Sequence, residues 1–217
     1  MGAMESADLA AIRREYTARG LTEDDAGNDP LVLLRQWIAE AVAAGIDEPN
    51  AMALATADSR GRPSVRTVLL KGLDIDGAVF YTNLDSRKGR ELNENPWAAA
   101  VLLWRPLQRQ VRIEGPALPV SDDEADHYFA SRPRGAQISA AASLQSEPIA
   151  SREELERQYT EVEQANAAGE IARPAFWSGF RLGFDSVEFW QGRPDRLHDR
   201  IRFVRGGAGW ERERLQP

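Results

Sequence analysis

The sequence predicts a mainly β fold, an antiparallel barrel or sandwich with a few helices at its periphery. Three observations carry this. Short apolar runs recur at close spacing between Gly, Pro, Asp and Asn turns. Stretches with helical periodicity are few and stand between those runs. Neither G-x-G-x-x-G after the first strand nor G-x-x-x-x-G-K-[ST] occurs, which argues against a nucleotide-binding parallel sheet, so a phosphate would be held by side chains. With 217 residues the chain suits one domain with its own core, taken as 29–217. The acidic, weakly periodic stretch 1–28 reads as a largely mobile lead-in, with 1–4 as a cloning remnant.

Asp29-Pro30 reads as an N-cap followed by proline in the first turn, and Leu33, Leu34, Trp37, Ile38, Ala41 and Val42 recur at helical spacing until Gly45. Strands 51–57 and 64–71 flank Asp58-Ser59-Arg60-Gly61, a hairpin signature, and 78–82 adds a strand after Asp76-Gly77. A short helix is expected over 86–93, stopped near Asn95-Pro96, before strands at 97–104 and 108–114 parted by Arg105-Pro106. Ser121-Asp122-Asp123-Glu124 and Ser151-Arg152-Glu153-Glu154 each fit a capping box, opening one helix that ends before Pro133 and another that runs to about 168. The tail reads as four strands, 178–182, 186–191, 196–204 and 210–215.

Composition narrows the function. The absence of cysteine excludes disulfides, thiolate nucleophiles and Cys-ligated metals, and two histidines leave little for a His-rich site, so no metal is expected and chemistry falls to a bound organic group. No apolar run approaches the ~20 residues that span a bilayer, and the N-terminus lacks the layout of a signal peptide. The expectation is a cytoplasmic protein with no membrane partner. A net charge of −7 disfavours nonspecific binding to nucleic acid, yet it is uneven: −6, +3, −7 and +3 over 1–60, 61–120, 121–172 and 173–217. The two positive bands are either solvated strand faces or collectors of a small anion. Of 27 basic residues only Lys71 and Lys88 are lysines. An ammonium suits a phosphate oxygen where arginine presents a planar fork.

A regular strand over 196–204 puts Arg196, His198, Arg200 and Arg202 on one face. Such a row is tolerable on a solvated face or beneath an anionic ligand, for which His198 offers hydrogen bonding or proton handling near neutral pH. The earlier basic band holds Arg66-Thr67-Val68-Leu69-Leu70-Lys71, then Ser86-Arg87-Lys88 at a helix start whose amides favour anions. Arg66 and Lys71 are five apart, so a regular strand aims them at opposite faces; either a bulge intervenes or they serve different parts of a ligand. Trp190-Gln191, Tyr81-Thr82, Gln110 and Gln145-Ser146 are the residue types that wall and hydrogen-bond a flat heteroaromatic ring.

Together these segments resemble one family, the pyridoxine/pyridoxamine 5′-phosphate oxidases, FMN enzymes of the split-barrel fold. The likeness is carried by RREY at 13–16, RTVLLK at 66–71, FYTNLDSRKGREL at 80–92, RQV at 109–111, YFASRPRGAQIS at 128–139, LQSEPI at 144–149 and EFWQGRPDRLHDR at 188–200, and it runs in order to the terminal RLQP. It implies an FMN-binding split β-barrel and a homodimer with two FMN molecules in clefts between subunits, each built from both chains. That arrangement would ease the placing of Arg66 and Lys71.

Carried over position by position, the resemblance implies FMN contacts at Arg66, Thr67, Val68, Leu69, Leu70, Lys71, Tyr81, Thr82, Arg87, Lys88, Gln110, Gln145, Ser146, Trp190 and Arg200, with Arg66, Arg87 and Lys88 on the FMN phosphate. The implied substrate set is Lys71, Tyr128, Arg132, Arg196, Leu197 and His198, under a flap made by Arg13, Arg14, Glu15 and Tyr16. Lys71, Tyr128 and Arg132 would grip a substrate phosphate, while Arg196 and His198, the implied catalytic pair, would face a pyridine ring. The implied reaction oxidises the 4′ carbon of pyridoxine or pyridoxamine 5′-phosphate to give pyridoxal 5′-phosphate, with O2 as acceptor, H2O2 as product and NH3 released from the amine.

Two positions depart from the family pattern. Ala136 stands where a serine phosphate ligand is usual, removing a bond to a charged group worth about 1.5–3 kcal/mol. Ser178 replaces a customary glycine after Trp177. A related flavin oxidase of phenazine-type metabolism resembles the chain around PNAMALATADSRGRP and at RLQP, but Lys71 and RPRGAQ favour the vitamin enzyme. A non-catalytic flavin- or pyridoxal-phosphate-binding carrier is the remaining alternative, suggested by Ala136.

Overall fold

In the computed structural model, which describes residues 15–167, 169–207 and 209–217, alternate residues of three neighbouring strands turn inward. Met52, Leu54 and Thr56 of β1 (Ala51–Ala57), Ala98, Ala100, Leu102 and Trp104 of β5 (Trp97–Trp104), and Val111 and Ile113 of β6 (Arg109–Pro119) are buried. Period-two alternation therefore builds the interior, as the sequence pattern requires. The other strands are β2 (Pro63–Leu69), β3 (Gly72–Leu73), β4 (Ala78–Asn83), β7 (Trp177–Leu182), β8 (Ser186–Gln191), β9 (Asp199–Gly206) and β10 (Gly209–Leu215).

All pairings are antiparallel, in the order β10-β9-β8-β6-β5-β1-β2, with a second branch β6-β7-β4-β3. Strand β6 serves both branches: 109–114 pair with β8 and 117–119 with β7. Gly115 lies between them, where a Cβ would stand 2.4 Å from the Gly183 carbonyl oxygen. Strand β2, at the end of the first branch, and β4 of the second curl toward each other, and just past β2 the Lys71 N–H donates to the Val79 carbonyl of β4 at 2.8 Å. Among the described residues no ladder joins β2 to β4, so the barrel is split there.

Helices cover the remaining faces. In α2 (Pro30–Ala43) the Asp29 carboxylate accepts from Leu31 N–H at 2.8 Å, and Leu33, Leu34, Trp37 and Ala41 are buried, with Trp37 edge-on to Trp104 and Phe189. Helix α3 (Arg87–Glu94) starts where the Ser86 hydroxyl accepts from Gly89 N–H at 3.3 Å. Helices α4 (Asp122–Ser131), α5 (Arg134–Ala142) and α6 (Arg152–Ala165) form a separate layer, in which Phe129 and Ile138 pack with Ile171 and Trp177 against Tyr81 and Tyr128.

The structure corrects the sequence reading in four places. Before Asn28, where no regular element is expected, Thr22 and Asp25 make a reciprocal capping box on α1 (Glu23–Ala26), and Leu21 and Ala26 join the core. Neither α5 nor β3 is anticipated: α5 has no side-chain cap at Pro133, and β3 is two residues long. The last basic strand begins at Asp199, because Pro194–Arg196 form a 3-10 turn with φ of 53° at Asp195 and 62° at Arg196. The face of four cations therefore does not form. Arg200 and Arg202 point outward and pair with Glu188 and Glu213. Arg13, Arg14 and residues 1–4 lie outside the described residues.

Helix α3 depends on a bare backbone at its first turn, since a Cβ on Gly89 would sit 2.1 Å from the Leu84 carbonyl oxygen. Gly89→Ala is expected to cost roughly 2–3 kcal/mol through overpacking. A denaturant titration reads this directly, and an unmoved midpoint would show that the helix start relaxes freely.

Candidate active site

The seam between β2 and β4 opens into a cleft of about 530 Å³. Arg66, Thr67, Val68, Leu69 and Lys71 line one side; Tyr81, Thr82, Asn83 and Lys88 line another; Tyr128, Arg132, Ser139, Ala140, Ser143, Gln145 and Trp177 complete it. Arg66 and Lys71 share this cleft without a bulge. The β2 ladder stops at Leu69, and the chain crosses to the other branch, with Leu70 N–H donating to the Asn50 carbonyl and Lys71 N–H to Val79. Alternation no longer governs Lys71, and the Leu70 side chain turns into the core.

Cations are gathered at one end of the cleft around a buried carboxylate. Glu91 accepts from Thr56 Oγ1, from Ser64 Oγ at 2.6 Å and from Arg87 Nε at 2.8 Å, and lies 3.4 Å from the Arg66 guanidinium. Burial alone would raise its pKa, but the bonds from Ser64, Thr56 and Arg87 outweigh burial and hold the carboxyl down at about 2. Arg66 also donates to the Leu54 carbonyl and Thr56 Oγ1. Both arginines are thus tethered in advance. The buried Lys88 ammonium donates to neutral oxygens only among the described residues: Gln145 Oε1 at 2.7 Å, Thr82 Oγ1 at 3.0 Å and Ser86 Oγ at 3.3 Å. Burial, and then the charge of Arg66, pull it to about 8. The Ser146 hydroxyl accepts from Arg87 N–H at 3.2 Å, in a residue with φ of 77°.

A second set of donors stands elsewhere in the cleft. Arg132 Nη1 is buried without a hydrogen-bond partner among the described residues, while its guanidinium lies 4.8 Å from the Trp177 ring centroid. Such an orphaned donor costs stability unless a ligand satisfies it. Tyr128 stacks on Tyr81 at 3.8 Å, and both rings run nearly parallel to Trp177. Burial raises Tyr128, and burial with the Glu124 charge pushes Tyr81 up to about 12, so both hydroxyls stay protonated near neutral pH. The cleft therefore offers two cationic donor sets beside an aromatic wall, which fits a phosphorylated flat ring and a second phosphate.

The other expected site residues stand apart on this chain. Tyr16, Gln110 and Trp190, with Leu103, Arg105, Gln108 and Arg109, line a depression of about 320 Å³. Here the His198 ring lies 4.6 Å from Trp190 and 5.4 Å from Tyr16. Its Nδ1 accepts from Arg193 N–H at 3.1 Å, which leaves the ring proton on Nε2. Burial, then the Arg196 charge, lower its pKa against the opposing pull of Asp199, so the neutral ring is favoured. Arg196, Leu197 and Glu15 are exposed, and Arg200 forks onto Glu188 at 2.8 and 3.0 Å. Sequence reading missed Asn83, Ser139, Ala140, Ser143 and Trp177. Trp177 stood beside a noted position, but Ser139 and Ala140 had no signal because α5 was unseen. Among the described residues no three His, Asp or Glu converge to hold a metal, and no helix is long and apolar enough to cross a membrane.

Fold and cleft together define a split β-barrel protein with a cationic, aromatic-walled cleft suited to anionic ligands. Residues 38–166 match the family model described as pyridoxamine 5′-phosphate oxidase, and 177–217 match the pyridoxine 5′-phosphate oxidase C-terminal dimerisation region. A pyridoxine/pyridoxamine 5′-phosphate oxidase from Rubrobacter xylanophilus is 55% identical and covers 97% of each chain. One from Crocosphaera subtropica is 48% identical over 97% of this chain and 100% of its own. Among solved structures, PhzG from Burkholderia lata, in complex with tetrahydrophenazine-1-carboxylic acid, matches with a TM-score of 0.85 at 39% identity, over 91% of this chain and 97% of that one. An FMN-binding, pyridoxamine 5′-phosphate oxidase-related protein from Nostoc punctiforme shares the fold at a TM-score of 0.69 and 18% identity, over 84% and 97%. The chain belongs to the pyridoxamine 5′-phosphate oxidase family.

The depressed Lys88 ammonium makes anion binding pH-dependent. An anion beside it favours the charged form, so binding takes up a proton above about pH 8, and affinity for FMN as probe falls by up to about tenfold per pH unit from there. For folding alone the sign is opposite: the unfolded lysine keeps its proton to 10.5, so the ligand-free fold gains stability from about pH 8 to 10.5. Fluorescence quenching of FMN across this range tests the first statement; Lys88→Gln is expected to flatten the profile, and a flat wild-type profile would contradict it.

Proposed function

We propose that the protein oxidises pyridoxamine 5′-phosphate and pyridoxine 5′-phosphate to pyridoxal 5′-phosphate, with FMN as cofactor and O2 as electron acceptor. The observation that carries this reading is the second donor set. Arg132, with its unpartnered buried Nη1, lines the same cleft as Lys71 and Tyr128, apart from the Glu91-tethered group of Arg66 and Arg87. Two phosphate grips suit a phosphorylated cofactor and a phosphorylated substrate. A phenazine-type precursor, supported by the likeness to PhzG, leaves the second grip without a phosphate.

Arg66, Arg87 and Lys88 hold the FMN phosphate, with Thr82, Gln145 and Ser146 completing its shell, and Thr67, Val68, Leu69, Leu70 and Tyr81 border the cofactor. A second copy of the chain supplies Gln110, Trp190 and Arg200, and with them Arg196 and His198. The match of 177–217 to a dimerisation region, and the separation of these residues from the cleft within one chain, support the homodimer. FMN held by these residues would supply two-electron redox chemistry: the substrate would lose a hydride from C4′ and a proton, O2 would take up both electrons and two protons as H2O2, and water would release NH3 from the oxidised amine. Lys71, Tyr128 and Arg132 anchor the substrate phosphate and so fix where C4′ lies. His198 carries its proton on Nε2 and donates it as a hydrogen bond to the substrate ring, while Arg196 orients that ring.

The purified protein should show flavin absorption that bleaches when pyridoxamine 5′-phosphate is added without oxygen and returns with peroxide when air is admitted. A spectrum unmoved by the substrate would sink the proposal. Arg132→Ala is expected to raise KM for the phosphorylated substrate roughly ten- to a hundredfold, the worth of bonds to a charged group, while FMN stays bound. Arg196→Leu should instead depress turnover strongly with flavin retained; unchanged turnover would remove Arg196 from the mechanism.

A further inference from the structure

We infer that Gln108 is a positioning residue for this reaction: its side-chain oxygen latches residues 15–18 so that the Tyr16 ring is held against Trp190 and His198. The inference rests on the proposed function for its kinetic consequence, but the latch stands on geometry alone. Gln108 Oε1 accepts from Thr17 N–H at 3.0 Å and from Ala18 N–H at 3.1 Å, across 91 and 90 residues of chain. Two backbone donors converge on one atom, so that atom is the amide oxygen and not its nitrogen.

The rest of Gln108 is built for this task. It follows the 3-10 turn Arg105–Leu107 and has φ of 55° and ψ of 41°, a left-handed conformation that is unfavourable for a residue other than glycine. Asparagine tolerates that conformation more readily but is one methylene shorter in reach. The Gln108 carbonyl accepts from Gly192 N–H at 2.8 Å and from Gln191 Nε2 at 3.0 Å. One buried residue thus ties the N-terminal segment on one side and the end of β8 on the other.

Gly192 supplies an independent observation on the same latch. A Cβ there would lie 2.7 Å from Tyr16 Cδ1, so the tyrosine ring rests on bare backbone. From that seat it meets Trp190 edge-on at 5.6 Å and His198 edge-on at 5.4 Å. Tyr16 covers two residues of the proposed substrate and cofactor sets only while Gln108 holds the segment behind it. Gln108 itself touches neither group in this role, so its effect reaches the reaction through Tyr16.

The test compares Gln108→Leu, which removes the acceptor, with Gln108→Glu, which keeps it, and with Gly192→Ala, which keeps the Gln108 side chain but whose Cβ would crowd the Tyr16 ring at 2.7 Å and Gln108 Cβ at 3.1 Å. In the FMN-loaded protein without substrate, hydrogen exchange at the Thr17 and Ala18 amides should speed up roughly tenfold or more in Gln108→Leu, the worth of two net hydrogen bonds, and stay slow in Gln108→Glu. KM for pyridoxamine 5′-phosphate should rise roughly tenfold in Gln108→Leu and Gly192→Ala with kcat little changed, and recover in Gln108→Glu. Exchange that is equally fast in wild type and Gln108→Leu, or as fast in Gln108→Glu as in Gln108→Leu, overturns the latch whatever the enzyme does. Accelerated exchange with an unmoved KM overturns the positioning role. If Gln108→Leu does not fold, the Gln108→Glu and Gly192→Ala pair decides: a raised KM in Gly192→Ala alone upholds the inference, and wild-type kinetics in both defeats it. A wild-type protein that does not oxidise the substrate fails the functional proposal instead, and the exchange arm still decides the latch.

Discussion

Strand β6 pairs with β5 from Arg109 to Pro116, with β8 over its first half and with β7 over its last three residues, and it changes partner at Gly115. A strand can serve two sheets only if its backbone turns sharply, and a side chain at that point would collide with the Gly183 carbonyl. The turn sends β7 and β4 round to face β2, the edge of the other branch. Because β2 ends at Leu69 and the next residues cross over, the two edges meet at a single backbone bond from Lys71. The cleft is the unpaired remainder of that closure. Its polar lining follows from position, since edge backbone and side chains there have no strand to pair with.

Electrostatics then decides what the cleft accepts. Glu91 neutralises part of the Arg66 and Arg87 charge and fixes both side chains through a buried, fully bonded carboxylate. Ordering two arginines before a ligand arrives removes a cost that binding would otherwise carry. Among the described residues Lys88 has no carboxylate partner and Arg132 Nη1 has no hydrogen-bond partner, so both retain donor capacity that the proposed phosphates would take up.

The division of site residues between the cleft and the Trp190 depression has a topological origin. Strands β5 and β1 stand between β6 and β2 in the sheet, so groups carried near Gln110 and Trp190 cannot reach the seam within one chain. The residues concerned fall largely in the segment that matches a dimerisation region, and this is why a second copy is proposed to bring them to the cleft. PhzG shares this scaffold and was solved in complex with tetrahydrophenazine-1-carboxylic acid, a ligand without a phosphate, so the scaffold alone does not fix the ligand. Tyr128 and Arg132, which the helical layer brings to the cleft, are the side chains proposed to make that choice.

The sequence by itself determined the elements whose causes are local. Helix starts at Asp29-Pro30, Ser86, Ser121 and Ser151 were legible because a cap is a contact between near neighbours, and strands β1, β5 and the first part of β6 were legible because burial alternates along them. Residue identity also pointed to one place in the fold, since Lys71 and Lys88, the two lysines of the chain, both line the cleft. Only the tertiary structure decided where Arg196 and His198 point, because two left-handed residues after Pro194 break the alternation on which the sequence argument relied. It alone revealed Trp177 beneath Arg132 and Gln108 beneath the N-terminal segment, contacts that join residues 45 and 91 positions apart or bring in an unforeseen helix. Periodicity and capping report energies between residues a few positions apart; a cleft is a property of edges that meet only after the sheet has curled, and no local pattern records that meeting.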